Sequence, residues 1–591
     1  MDFYGFYTGG IFDAYEWLGA HYTAESTVFR TFAPQAQKIE LVLEDKIIPM
    51  EKVYNGQFYE AVVEKLPKGT KYEYRIYSGG RFTDHCDPYG YFMERRPDHK
   101  SVTWDHKSFQ FKDDDWMKKR SDMLKKPLNI YELHAGSFRK PGKAPDDWYN
   151  YEQLGRVLIP YLKEYGYNYV EFLPLCEHPS DESWGYQTTG YFSPTSRYGT
   201  PDDLKKLISL LHENGIGVIL DFVPVHFAMD PYGLAKYDGS ALYEYPSNDV
   251  GMSEWGSCNF MHSRGEVKSF LQSSANFWLK EYHFDGLRMD AISRIIFWQG
   301  DERRGVNSNA LDFVKNMNKY LKKENEGCML IAEDSTSFKG ITKSAEKGGL
   351  GFDYKWDLGW MNDTLSYFEA APKDRQEKYH KITFSMMYFG DEHYLLPLSH
   401  DEVVHCKGTI VNKMYGDIDE QLSQARALYM YMMVHPGKKL NFMGNELGQV
   451  REWDEKRELD FELLDDPKHN KFHEYMKQLN HLYLTDAALS EDDYDESGFK
   501  WADCDQAERL IYSIIRSNKK EKLLAIFNFS DRVQDNYTLE IPDAKNTEVI
   551  LCSDSEEFGG KTENAASLIR FENGKLICAL PAYSGIALKI S

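Results

Sequence analysis

The chain has 591 residues, more than one hydrophobic core usually supports, so several domains are expected. Lys plus Arg is 70 against 93 for Asp plus Glu, a formal charge of −23, which argues against a polyanion such as nucleic acid as partner and suits a neutral substrate. With 42% hydrophobic and 28% charged residues, wholesale disorder is excluded; the 15% aromatic share also suits sugar rings, whose C–H faces stack on aromatic planes.

In chain order, residues 27–34 (TVFRTFAP), 38–43 (KIELVL) and 72–77 (YEYRIY) alternate apolar and polar, with Asn55-Gly56 and Gly79-Gly80 as turns. The pattern predicts an N-terminal β-sandwich over 1–112. A charged stretch, 112–126 (KDDDWMKKRSDMLKK), predicts a linker with some helix. From Pro127 short apolar strands alternate with helical patterns. The predicted strands are 128–134, 169–175, 216–222, 284–289, 328–332, 352–356, 394–398 and 440–443, and helices are predicted at 202–214 and 265–282. Eight strands in βα alternation predict a (β/α)8 barrel over 113–485, with the longest loops after the third and eighth strands. Residues 510–516, 523–528 and 586–590 return to β alternation, with Gly559-Gly560 and Asn573-Gly574 as turns, predicting a C-terminal sandwich over 486–591.

Eight cysteines form no CxxC pair, so they read as reduced thiols. The first basic residue is Arg30, and the longest apolar run, 427–434, is too short to span a bilayer; a cytoplasmic chain is expected. No HxH or HExxH spacing suggests a metal, and no cofactor is implied.

Barrel enzymes work at their strand ends. Here the third predicted strand ends at Asp221, followed by His226; the fourth carries Arg288 and Asp290; the fifth ends at Glu333; the seventh ends at His400 and Asp401. A lone Asp after a strand more often caps a helix than catalyses, and a lone His is more often structural. Four carboxylates, an Arg and two His at four strand ends form a constellation of another kind. Paired carboxylates cleave glycosidic bonds, one ionised to attack the anomeric carbon and one protonated to release the leaving oxygen.

These segments resemble the conserved regions of the alpha-amylase family of glycoside hydrolases and transferases. Within it, YELHAGSF (131–138), SWGYQTTGYFSPTSRYGT (183–200), GLGFDYKWDLGWMND (349–363) and HPGKKLNFMGNELGQVREWD (435–454) are similar to the 1,4-alpha-glucan (glycogen) branching enzymes. The resemblance starts at YEWLGAH (15–21) and reaches the terminal sandwich. It implies that Asp290 is the nucleophile, Glu333 the general acid/base and Asp401 a third carboxylate that holds sugar hydroxyls. It implies that Tyr186 stacks under the sugar and that Asp221, His226, Arg288 and His400 support it. A retaining pair of this kind lies ~5–5.5 Å apart. Trp184, Tyr191 and Trp453 are expected at the mouth, binding glucan, with loop packing as the alternative role. Val225 stands where a small residue is usual and Cys406 where Gly is usual. The N-terminal sandwich resembles a family 48 carbohydrate-binding module, yet 41–60 lacks the Phe-Asn-x-Trp type of loop, which leaves glycan binding and barrel packing both open.

The implied function is transfer of an α-1,4-glucan chain to a 6-hydroxyl of a second glucan, by a monomer acting without nucleic acid or membrane. A hydrolase of the same fold, debranching or trehalose-releasing, and a non-catalytic glycan-binding protein are the alternatives.

Overall fold

The computed structural model describes residues 1–120, 125–542, 544–572 and 574–591. Residues 121–124 of the expected linker and Asn573 of the expected turn lie outside the described residues. Contacts divide the chain into two compact units. The first is Met1–Arg120, His134–Val157 and Glu171–Asp353; the second is Ser121–Leu133, Leu158–Val170 and Tyr354–Ser591.

The N-terminal β region has two antiparallel sheets. One orders Gly19–Tyr22, Ser26–Phe32, Phe58–Glu64 and Glu51–Val53; the other orders Lys46–Pro49, Lys38–Leu43, Lys71–Ser78 and Arg81–His85, with Ser101–Val102 pairing Lys71–Ser78. Their inner faces meet where Phe29 packs edge-on to Tyr72 at 4.8 Å, both rings buried. Both expected glycine turns join neighbouring strands. Among the described residues the expected linker contributes one short helix, Asp114–Lys119.

Eight strands close in sequence order into a barrel. They are β1 Asn129–Leu133, β2 Tyr169–Phe172, β3 Gly217–Phe222, β4 Gly286–Met289, β5 Met329–Ala332, β6 Tyr354–Trp356, β7 Tyr394–Leu398 and β8 Lys438–Phe442. Strands covered on both faces read as continuous apolar runs, which is why length and turn signals located them. β8 starts earlier than expected because two of its lysines are buried. Lys438 pairs with Asp493 at 2.8 Å, and Lys439 donates to the carbonyls of His435 and Gly437 at 2.6 and 2.5 Å. The loop after β2, 173–200, is longer than the loop after β8, 443–466, which corrects the expected order; the loop after β3, 223–264, is the longest of the three.

The helix Pro201–Glu213 shows how the sequence starts such elements. Thr200 caps it in a reciprocal box with Asp203, Pro201 fills its first turn, and Leu204, Leu207, Ile208 and Leu211 bury one face at helical spacing. After the barrel, a sheet ordered Phe499–Gln506, Ile511–Ser517, Lys522–Asn528, Ser584–Ile590 and Thr547–Cys552 accompanies a three-stranded sheet of Gln534–Glu540, Lys575–Leu580 and Ile569–Glu572. Their shared core includes Ile511, Leu524, Ile526, Tyr537, Leu576, Leu580 and Leu588. Among the described residues no helix is long and apolar enough to cross a membrane.

Candidate active site

In the first unit, three neighbouring strands bring one cation and three carboxylates together. The register pairs Asp221 of β3 with Arg288 of β4, and Arg288 with Ile331 of β5. Arg288 is fully buried, and its Nη1 donates to both oxygens of Asp221 at 2.8 and 2.6 Å and to Asp290 Oδ1 at 3.0 Å. Its Nη2 lies 3.5 Å from Glu333 Oε2. Burial opposes the Arg288 charge, but Asp221 first, then Tyr186, Asp290 and Glu333, outweigh it and hold the guanidinium well above its usual range. A buried cation is tolerable only when paired in this way.

Asp221 is a strand residue 1% exposed, not a helix cap. Tyr186 donates its hydroxyl to Asp221 Oδ2 at 2.5 Å, so it belongs to the same cluster. Asp290 and Glu333 are partly open to solvent, with side chains 15% and 21% exposed. The residue between nucleophile candidate and helix was not singled out by sequence. Ala291 has φ +50°, a left-handed conformation costing about 1–2 kcal/mol for a residue with a Cβ. That turn aims its N–H at Glu333 Oε2, 2.7 Å away.

Trp184 ends the one-turn segment Asp181–Ser183 at φ +53° and is half-buried. Gly185 beside it has φ +94°, and a Cβ there would lie 2.4 Å from the Pro174 carbonyl, so this turn of the loop needs glycine. Tyr191 is not at the mouth. It is 1% exposed and donates to the His226 carbonyl at 2.8 Å, a core role. His226 pairs with Asn259 in a two-strand ribbon of the β3 loop, and burial pulls its imidazole down to about 4. Its Nδ1 is buried without a hydrogen-bond partner. The ring lies 5.2 Å from Trp255, an aromatic 45% exposed that sequence reading passed over. Val225, in the same loop, is buried.

In the second unit, His400 and Asp401 follow β7. Both Glu132 carboxylate oxygens accept from His400, Oε2 from the backbone N–H at 2.8 Å and Oε1 from Nδ1 at 2.6 Å. Nε2 then faces Asp401 Oδ1 at 3.5 Å. Asp401 is half exposed, whereas Glu132 is fully buried. Glu132 was missed as a functional residue, although a lone carboxylate inside the apolar strand LNIYELH is itself a signal that a partner waits for it. Trp453 is 6% exposed, packs edge-on to Phe442 at 5.1 Å and donates its backbone N–H to Val403, so packing takes most of its ring. Cys406 is exposed and stands at φ +64°, which supplies the physical reason that the resemblance expects glycine there.

Residues 157–240 and 255–527 match the alpha amylase catalytic domain, 17–90 match carbohydrate-binding module 48 (isoamylase N-terminal domain), and 501–591 match the alpha amylase C-terminal all-beta domain. With the closed barrel and the Asp–Arg–Asp–Glu cluster, they define an enzyme of the alpha-amylase class. The chain is 43% identical to the 1,4-alpha-glucan branching enzyme GlgB of Fusobacterium nucleatum subsp. nucleatum, over 95% of this chain and 92% of that one. It is 44% identical to a Clostridium perfringens counterpart (94% and 88% covered) and 40% identical to one from Bacillus caldolyticus (99% and 88% covered). The chain belongs to the 1,4-alpha-glucan branching enzyme family. In fold alone it is also similar to pullulanases of known structure. That from Bacillus acidopullulyticus is 18% identical with a TM-score of 0.73 (97% of this chain and 74% of that one), and that from Paenibacillus barengoltzii is 18% identical with 0.75 (99% and 97%).

Proposed function

We propose that this chain cleaves an α-1,4-glucosidic bond and passes the released glucan chain to a 6-hydroxyl of another glucan, making an α-1,6 branch. The observation that carries the reading is the Arg288 fork, whose two ends reach Asp290 and Glu333. Asp290 attacks the anomeric carbon and holds the chain as a covalent glycosyl-enzyme, with Arg288 balancing its charge. Glu333 protonates the departing oxygen and later takes the proton of the incoming 6-hydroxyl, so the anomeric configuration is retained. The Ala291 N–H on Oε2 fixes the Glu333 carboxyl while the proton moves. Asp401 and His400 hold sugar hydroxyls, with Glu132 orienting the imidazole. Tyr186 supplies the platform under the sugar, Asp221 orders Arg288 and Tyr186, His226 and Trp184 complete the glucan contacts, and Trp453 packs against Phe442 behind them. No cofactor enters this scheme.

Donor and acceptor are glycogen or starch-like chains, and the protein acts as a cytoplasmic monomer; eight free thiols support that compartment. The domain division is 1–112, 113–485 and 486–591. Incubation with purified amylose, scoring new α-1,6 linkages against new reducing ends by NMR, tests the reading. Mostly reducing ends would make the protein a hydrolase, and neither product would leave a binding protein.

A further inference from the structure

Away from the strand ends of the barrel, three residues distant in sequence bring ligand atoms together. Glu16 ends the one-turn segment Ala14–Glu16 ahead of the N-terminal sheets. His106 follows their final strand, Ser101–Val102, and Glu281 closes the barrel helix Gly265–Glu281. One oxygen from each carboxylate and one imidazole nitrogen lie within 4.8 Å of one another.

A second observation lies in His106 itself. The residue is 5% exposed, and its Nε2 is buried with no hydrogen-bond partner. An imidazole nitrogen taken out of water and left unpaired costs free energy that a ligand would recover. Unprotonated, such a nitrogen offers the lone pair that binds metal. Tyr91 holds the ring in place at 4.2 Å.

The surroundings allow a cation to enter. Lys107 now pairs with Glu16 at 2.5 Å, but its side chain is 56% exposed and can swing into water. Tyr15 donates to Glu281 Oε1 at 3.3 Å, the kind of outer hydrogen bond that orients a metal-bound carboxylate. Glu16 also lines an open cleft of about 370 Å³ whose wall carries Asp2 and Asp13, so the carboxylates there attract cations to the Glu16 side of the cluster.

We infer that Glu16, His106 and Glu281 bind one divalent cation of the zinc class, clipping both ends of the N-terminal β region to the helix Gly265–Glu281. Two carboxylates, one imidazole and a water make a four-coordinate set suited to Zn²⁺ or Co²⁺, whereas Ca²⁺ requires six to eight oxygens. The spacing 16…106…281 matches no local motif, so only the fold shows it.

The test uses the full chain, freed of metal by a chelator and titrated with ZnSO₄ by calorimetry. One Zn²⁺ per chain is expected, with an unfolding temperature raised by roughly 2–4 °C. Co²⁺ should give a visible ligand-field band. Glu16→Gln and Glu281→Gln should each weaken Zn²⁺ binding at least ~10-fold and erase the band, since losing an outer contact to a metal alone costs that much. Should Glu281→Gln fail to fold, Glu16→Gln, at a partly exposed site, decides alone. No binding by the wild type would overturn the site, and so would binding undiminished in a folded variant, which would place the ion elsewhere, for instance at the exposed thiol of Cys406.

Discussion

Glu132 grips His400 at two points, its two oxygens accepting the backbone N–H and the ring Nδ1 of the same residue. The grip fixes both the loop after β7 and the plane of the imidazole, so Nε2 can meet only what lies on the Asp401 side. Glu132→Gln keeps the shape but puts an amide where a carboxylate accepted Nδ1–H, which reverses the tautomer. Branching should fall about 10–100-fold with folding retained. Steady-state kinetics beside circular dichroism checks it, and wild-type kinetics in the variant would make Glu132 merely a strut.

Asp290→Ala should abolish turnover. Removing the group that carries the covalent intermediate costs several orders of magnitude, while Arg288 keeps Asp221 as partner, so the fold should survive. A folded variant retaining more than about a tenth of wild-type branching would remove Asp290 from the nucleophile role.

Glu333→Gln preserves shape but cannot deliver a proton. Glucan binding should persist while cleavage stops, and a glucosyl fluoride should restore part of the first half-reaction, because fluoride leaves with little acid help. Lost binding without rescue would mean that Glu333 is structural.

Cys406→Gly should stabilise the protein by about 1 kcal/mol, because φ +64° suits glycine and strains a side chain. Denaturant midpoints of the two proteins give the comparison. Unchanged or lower stability would show that the thiol makes contacts worth as much as the strain.

Trp453→Ala should act mainly through packing. The ring is 6% exposed, so truncation should cost about 3–5 kcal/mol and lower hydrolysis and branching together. Product ratios on one amylose sample decide. A rise in reducing ends relative to α-1,6 linkages would instead give Trp453 the glucan-binding role expected of a mouth aromatic, on the acceptor side.

His226 makes a pH prediction. Its imidazole is pulled to about 4 by burial, against ~6.5 unfolded. Below pH ~6.5 the unfolded chain takes up this proton first, so stability falls with falling pH until about 4, where the folded chain also binds it. His226→Asn should therefore lose less stability than wild type between those limits, by up to about 3 kcal/mol. Parallel denaturation curves at pH 4.5 and 7 would expose an equal loss, which would deny His226 this role.

The barrel was legible from sequence because period and length carry it. The strands covered on both faces are apolar runs between turn signals, and the helix Pro201–Glu213 declares itself through its cap, its proline and its apolar stripe. Asp221, Arg288, Asp290 and Glu333 could be picked out because charged residues at apolar strand ends are costly unless used. Sequence alone could not decide which side chains stay open. Tyr191 and Trp453 read as mouth aromatics, and packing buried both. Lys438 and Lys439 fell outside the expected strand 440–443, and Asp493 with two backbone carbonyls pairs their buried ammonium groups. Glu132 and Glu16 acquire their meaning from partners hundreds or tens of residues away, His400 and His106. The local pattern of a chain fixes its elements and their order, whereas a contact between distant residues exists only once those elements have packed.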